Sequence, residues 1–394
     1  MALDHEVTRR QYSDFQLEIY LDGLDGKAPR YPVDFASLER KAAEALPWWV
    51  YSYVAGGCGD EHTQRANVAA FEKWGLVPRM LNGTYNRDLT TSLVGIDLPT
   101  PLLMAPVGVI GLCAQDFHGD IQTAQASART GVPMIASTLA MDAMEDVAPH
   151  CGDTPTFFQL YTPNDRDLAA SLVHRAECAG YKAIVITLDT WTNGWRPRDL
   201  NTGNYPQLRG YVLANFFTDE VFLGRLDKPP HEDLKAATGE WIKVRGNSLH
   251  WDDLPWLRGL TDLPILLKGI CHPDDARRAL DYGIDGIYCS NHGGRQANGG
   301  LAAIDLLPDV VRAAEGKPVI FDSGVRSGSD VAKALALGAT AVAVGRPYAY
   351  ALAVGGADGV VHQLRSILAE LDLLMAIDGF PTIADLRSAD IRRT

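Results

Sequence analysis

Residues 318–347 read PVIFDSGVRSGSDVAKALALGATAVAVGRP. A short apolar run, 318–324, ends in Asp322-Ser323-Gly324. The stretch 327–338 then opens with a serine and an aspartate where a helix N-cap falls, and stops at Gly338. A second apolar run, 341–347, ends in Gly345-Arg346-Pro347. Both runs are apolar without alternation, the pattern of strands covered on both faces, and the helix between them is the crossover that a parallel pair requires.

The same unit recurs upstream. Apolar runs at 102–108, 134–138, 156–161, 183–189, 264–269 and 286–291 bring the number to eight. Between them, 166–180 places Leu168, Leu172, Val173 and Ala176 on one helical face before Gly180, and 273–283 runs from Pro273 to Gly283 in the same manner. Eight βα units predict an α/β fold, a closed (β/α)₈ TIM barrel over residues 101–394. Two stretches fall outside the rhythm. Residues 1–100 precede the barrel and are expected to form a helical extension packed on its bottom or side, with 35–54 helical and interrupted at Pro47. Residues 197–258 separate the fourth and fifth runs and are too long for an ordinary βα loop. Their Pro, Gly, Asn and aromatic content suits a partly mobile lid inserted over the barrel mouth.

Bulk properties narrow the function. A formal net charge of -13 over 394 residues argues against a nucleic-acid partner, although a few local arginines still suffice for a small anionic substrate. The six cysteines are scattered without metal-ligand spacing, which favours reduced thiols and no metal. No apolar window is long enough to span a bilayer, and the N-terminus opens with charged residues instead of a secretory leader. The C-terminal Arg392-Arg393-Thr394 is not a peroxisomal address, so the cytoplasm is the expected location.

In a barrel of this kind the chemistry lies at the C-terminal strand ends. Those ends hold Gly108, Ser137, Gln159 and Tyr161, Thr187 and Asp189, Lys268, Ser290 and His292, Asp322 and Gly324, and Gly345 and Arg346. The loop Ser290-Asn291-His292-Gly293-Gly294-Arg295-Gln296 puts a base and a cation on one tight turn, where glycine admits a ligand and arginine grips a carboxylate. Arg196, alone, reads equally well as a surface residue; paired with Arg295 it forms a clamp for an acid substrate. Asp189 is either the partner of the histidine ring or a loop cap. Lys268 is either a Schiff-base nucleophile or a fixed charge beside a cofactor. Asp322 to Arg326 and Gly345-Arg346 follow the seventh and eighth runs, the usual phosphate site of the fold. No GxGxxG follows a strand, which speaks against a dinucleotide site.

Together these residues resemble the FMN-dependent 2-hydroxy acid oxidase and dehydrogenase family, from about residue 35 to 385. SNHGGRQ at 290–296 is the most specific string, supported by Tyr51–Gly57, Phe158-Gln159-Leu160-Tyr161, Thr187-Leu188-Asp189-Thr190 and Leu267-Lys268-Gly269. The resemblance implies FMN as cofactor and a small L-2-hydroxy acid and O2 as substrates. It makes His292 the base, Asp189 its partner, and Arg196 and Arg295 the carboxylate clamp. Tyr53 and Tyr161 would bond the substrate, and Lys268 would stabilise the reduced flavin. Ala105, Pro106, Gly108, Ser137, Gln159, Thr187 and Ser290 would contact the flavin; Asp322, Gly324, Arg326, Gly345 and Arg346 would hold the ribityl phosphate.

Within the family, Gly59–Arg65, Ala114-Gln115-Asp116 and Gly194–Asp199 are similar to the lactate 2-monooxygenase branch. Glycine at 108, where many oxidases carry alanine, points the same way. The implied reaction converts L-lactate and O2 into acetate, CO2 and water if pyruvate is held, and into pyruvate and hydrogen peroxide if it leaves first. Leu139 and Tyr53 are expected to bound a small side-chain pocket. Thr192 and Asn193 depart from the family, standing where bulkier apolar residues are expected. The rivals are other FMN barrels of the IMP dehydrogenase or isopentenyl diphosphate isomerase kind, a dehydrogenase passing electrons to a quinone or cytochrome, and a non-catalytic flavin-binding barrel. The family also implies a homo-oligomer, a tetramer or octamer.

Overall fold

The computed structural model describes residues 11–394. The first ten, which carry the charged opening read against a secretory leader and begin the N-terminal extension, lie outside the described residues. All eight apolar runs form strands: β1 (Leu102–Met104), β2 (Ile135–Ser137), β3 (Phe157–Leu160), β4 (Ile184–Thr187), β5 (Ile265–Lys268), β6 (Gly286–Cys289), β7 (Val319–Phe321) and β8 (Ala341–Val344). Neighbours pair in parallel around the order β1-β8-β7-β6-β5-β4-β3-β2. The circle closes where Met104 of β1 bridges Met134, just ahead of β2. This is the (β/α)₈ barrel.

The apolar runs lack alternation because both strand faces are buried, and the two faces join different cores. Leu103, Ile135, Phe157, Val185, Leu266 and Ile320 point inward into one cluster, whereas Leu102, Phe158, Ile184 and Leu267 point outward to the helices. The crossover helices carry the caps that the sequence advertises. Asp165 accepts from Asp167 N and Leu168 N to open Arg166–Cys178, which buries Leu168, Leu172, Val173 and Ala176. Ser327 accepts from Asp330 N to open Gly328–Ala336.

The N-terminal stretch contains the expected helices, including Phe35–Ala45 and Trp48–Ala55 on either side of Pro47. It also contains what the helical expectation omitted. An antiparallel hairpin, Thr91–Leu93 with Ile96–Leu98, sends Leu93 and Leu98 into the inward-facing barrel cluster and so forms its floor. A strand at Trp74–Leu76 pairs with the C-terminal Ile391–Arg393. Three-residue strands carry too little periodicity to be told from loops.

Between β4 and β5 the insertion is a packed set of short helices, the longest being Leu234–Val244. It buries Phe216, Phe222 and Trp241. Asn215 fastens it to the barrel, its side chain accepting from Met144 N at 2.8 Å and donating to Thr138 O at 3.0 Å. Among the described residues no helix is long and apolar enough to cross a membrane.

Candidate active site

Fourteen of the expected residues line one cavity at the C-terminal strand ends: Tyr53, Ala105, Pro106, Gly108, Tyr161, Arg196, Lys268, His292, Arg295, Asp322, Gly324, Arg326, Gly345 and Arg346. Asp189, Ser137, Gln159, Thr187 and Ser290 lie outside that lining, tied to it by hydrogen bonds or by position at the same strand ends.

The loop after β6 bends sharply, with left-handed φ at His292 (58°), Gly293 (63°) and Gly294 (75°). Ser323, itself at φ 87°, holds this bend by accepting from Asn291 N at 3.2 Å and Gly293 N at 3.0 Å. Non-glycine residues in this region are strained, and two facing each other across adjacent loops mark a built site. The bend aims the His292 ring at β4, where Nδ1 lies 2.8 Å from Asp189 Oδ1. Thr190 completes the group, donating to Asp189 Oδ1 at 2.9 Å and lying 3.3 Å from His292 Nδ1.

Burial pushes the His292 imidazole below its ordinary range, Asp189 pulls it back up, and Lys268 and Arg196 push it down again; the net shift is downward. The ring is therefore neutral near pH 7, as a base must be. Burial raises the Asp189 carboxyl, but its interaction and hydrogen bond with His292 and the charge of Lys268 outweigh it and bring the group below its ordinary range.

Arg196 and Arg295 converge on Tyr53. Arg196 donates from Nη1 to the Tyr53 hydroxyl at 3.4 Å and from Nε to Arg295 O at 3.0 Å, and its Nη2 bonds Gln296 Oε1. Arg295 donates to Tyr53 O and Gly56 O, carbonyls at the end of the Trp48–Ala55 helix. Burial and the neighbouring Arg196 lower the Arg295 guanidinium to about 10. Burial raises the Tyr53 phenol, yet the two arginines more than offset this and bring it below its usual value. Burial lifts the Tyr161 phenol well above its ordinary value, with Asp189 adding to the effect, so it stays a neutral donor.

The rest of the rim fits FMN. Gln159 Nε2 and Thr187 Oγ1 are buried without a hydrogen-bond partner, while Gln159 Oε1 is already fixed by Ser137 Oγ at 3.1 Å. Buried donors of this kind need an acceptor, and the ring edge of a flavin supplies several. Lys268 Nζ donates to Ser290 Oγ at 3.2 Å and lies 3.8 Å from Asp322 Oδ2. It is a nearly buried cation shared between a hydroxyl and a carboxylate, arranged as a fixed charge.

Beyond it, a Cβ on Gly345 would meet nothing within 4 Å, at the start of the helix that begins at Arg346. Arg346 donates to Val54 O at 3.1 Å and Gly56 O at 3.0 Å, and Arg326 lies 4.5 Å above the Phe35 ring. Their guanidinium hydrogen bonds go to uncharged oxygens. Open space at a helix N-terminus beside two such cations is what a phosphate group needs.

Several residues at the site were not singled out from sequence. Thr190 and Gln296 lie beside Asp189 and His292 in sequence, but neither residue type nor spacing assigns them a role; Gln296 Nε2 donates to Asp189 O at 2.7 Å and joins Asp189 to Arg196. Tyr205, Gln207 and Arg245 come from the insertion, whose side chains follow no period that points them at a cavity.

A family model described as FMN-dependent dehydrogenase matches residues 42–393. An L-lactate oxidase from Lysinibacillus sphaericus is 41% identical over 372 residues, covering 94% of this chain and 95% of that protein. An FMN-dependent alpha-hydroxy acid dehydrogenase from Penicillium citrinum is 40% identical over 390 residues, covering 97% and 96%. Among solved structures, a mandelate oxidase superposes with a TM-score of 0.82 at 35% identity, over 92% of this chain and 99% of that one. A match spanning most of the chain, on a barrel whose rim fits the flavin, fixes the relationship: this chain is a member of the FMN-dependent dehydrogenase family.

Proposed function

We propose that this FMN-dependent oxidoreductase oxidises a small L-2-hydroxy acid at the 2-position and passes the electrons to O2. The observation that carries the reading is the half-buried His292 imidazole, 2.8 Å from Asp189 and held below its ordinary range by its surroundings, in the same cavity as Arg196 and Arg295. An acid substrate anchored by its carboxylate on the two arginines offers its 2-hydroxyl to His292 and to the Tyr53 and Tyr161 hydroxyls. His292 takes up a proton, and Asp189 stabilises the imidazolium through Nδ1. FMN, when bound, would supply a two-electron carrier between substrate and oxygen. Lys268 supplies a fixed positive charge at the rim, held in place by Ser290 and Asp322.

For the fate of the product we favour the 2-monooxygenase outcome, in which the keto acid is retained and oxidatively decarboxylated by the hydrogen peroxide formed beside it. On L-lactate this yields acetate, CO2 and water. Gly108 supports it, since the absent methyl leaves room beside Leu139 at the cavity wall. The second reading, release of keto acid and hydrogen peroxide, is favoured by the likeness to an L-lactate oxidase. Purified, FMN-loaded protein given L-lactate in air with catalase distinguishes them. Acetate and CO2 despite catalase support retention. Pyruvate, with oxygen returned from peroxide, refutes it and leaves an oxidase.

A further inference from the structure

Six basic side chains line the cavity, Arg196, Arg245, Lys268, Arg295, Arg326 and Arg346, against one carboxylate among the described lining residues, Asp322. Five of these have work in the reading above: Arg326 and Arg346 at the phosphate, Lys268 at the flavin, Arg196 and Arg295 at the substrate carboxylate. Arg245 is left over. It caps the Leu234–Val244 helix of the insertion and reaches back to the cavity. Its Nη1 donates to Asn193 Oδ1 and to the Tyr205 hydroxyl, both at 3.2 Å, and its guanidinium lies 5.5 Å from the Trp241 ring centre and 5.8 Å from that of Tyr205. These partners are all neutral, so the cation is oriented but not neutralised.

A second observation comes from the same end of the cavity. Gln207 lines it and is fully buried, with Nε2 3.5 Å from the Tyr53 hydroxyl and Oε1 without a partner. The Tyr53 hydroxyl already accepts from Arg196, so its own proton lacks an acceptor. Reversing the amide gives that proton an acceptor and puts an NH2 group where the partnerless oxygen stood. The chain Arg196–Tyr53–Gln207 thus leads from the substrate clamp to the Tyr205–Arg245 end. The Tyr205 phenol is raised by burial and by Tyr53 and pulled down by Arg245 and by Arg196, so both cations bear on one ring. An aliphatic side chain placed here would cover a guanidinium and an amide without satisfying either.

We propose that Arg245, positioned by Asn193 and Tyr205 and assisted by Gln207, binds a carboxylate at the far end of the substrate. The preferred substrate is then an L-2-hydroxy dicarboxylate, with L-lactate a truncated version of it. The inference rests on the 2-hydroxy acid reading and specifies its side chain.

The test compares L-malate and L-2-hydroxyglutarate with L-lactate and L-2-hydroxybutyrate on FMN-loaded enzyme. It follows kcat/KM in air, flavin bleaching without air, and the flavin spectral shift on binding the corresponding keto acids. At least one dicarboxylate should exceed L-2-hydroxybutyrate in kcat/KM by about tenfold or more, the scale of a charge-assisted hydrogen bond. Arg245→Met should lower that ratio about tenfold, and weaken binding of the dicarboxylic keto acid more than that of the neutral one; Arg245→Lys should retain part of both. A wild-type preference for the neutral acid, or a ratio unmoved in Arg245→Met, overturns the inference while leaving the reaction intact. Should no acid of either kind bleach the flavin, the 2-hydroxy acid reading falls and this one with it. The wild-type ratio decides the matter even where Arg245→Met fails to fold.

Discussion

Replacing Asp189 by Asn removes one charge and leaves the shape of the base's partner. The His292 Nδ1 to Asp189 Oδ1 distance is 2.8 Å, and Thr190 also donates to that oxygen at 2.9 Å, so an amide oxygen can take both bonds. What is lost is stabilisation of the imidazolium formed on proton uptake. A charge-assisted hydrogen bond exceeds a neutral one by about 1–2 kcal/mol. Opposite unit charges about 4 Å apart, at an effective dielectric constant of about 20, contribute about 4 kcal/mol. Taking these as bounds, the plateau of kcat/KM should fall by about 5- to 700-fold, at ~1.4 kcal/mol per decade.

The pH profile gives a second, independent readout. With His292 as the proposed base, only the neutral ring is competent, and kcat/KM should fall on the acid side as the ring protonates. The wild-type ring already lies below its ordinary value, because burial and the cations of Lys268 and Arg196 outweigh Asp189. With Asp189 uncharged the upward pull disappears, and the acid limb should move to still lower pH while the plateau drops. The assay is steady-state oxygen uptake across pH, with stopped-flow flavin reduction to isolate the chemical step. A plateau within about fivefold of wild type, or an acid limb that moves upward, refutes the assignment of Asp189 as the imidazolium's counter-ion.

Four further outcomes follow. Gly345→Ala should fold normally, since its φ is -112° and the added methyl meets no atom, yet bind FMN more weakly than riboflavin by comparison with wild type. Gly324→Ala, at φ 93° with its Cβ 2.3 Å from Asn67 O, should instead lose stability outright; flavin titration and thermal unfolding separate the two. Gly108→Ala places a methyl 3.3 Å from Leu139 Cβ and should raise the share of keto acid and peroxide among the products, read by the catalase assay. Leu93→Ala in the barrel floor should cost about 2–5 kcal/mol in urea unfolding, as for other buried leucines.

The barrel was legible because its strands are buried on two faces and therefore read as continuous apolar runs; Ile184–Thr187 and Ala341–Val344 carry almost no other signal. The rim was legible for a related reason. Once strand ends are located, a polar residue such as Lys268 or Gln159 at one of them has no structural excuse. Short strands escaped, since Thr91–Leu93 offers one and a half alternations. The polar end of the cavity also escaped. Asn193 stood out as a departure, but its partners Tyr205 and Arg245 lie 12 and 52 residues further on and are brought together only by the packing of the insertion on Trp241.

Arg295, in the loop after β6, and Arg346, which begins the helix after β8, are both held by carbonyls at the end of the Trp48–Ala55 helix, which lies before the barrel in the chain. Tyr53 of the same helix faces the cavity. Docking of that helix and anion binding are therefore linked equilibria: whatever favours one favours the other by the same free energy. An anion at the rim acts as a clasp on the N-terminal segment. Protection of residues 48–55 from hydrogen exchange should track cofactor and substrate occupancy, though the segment lies outside the eight-stranded ring.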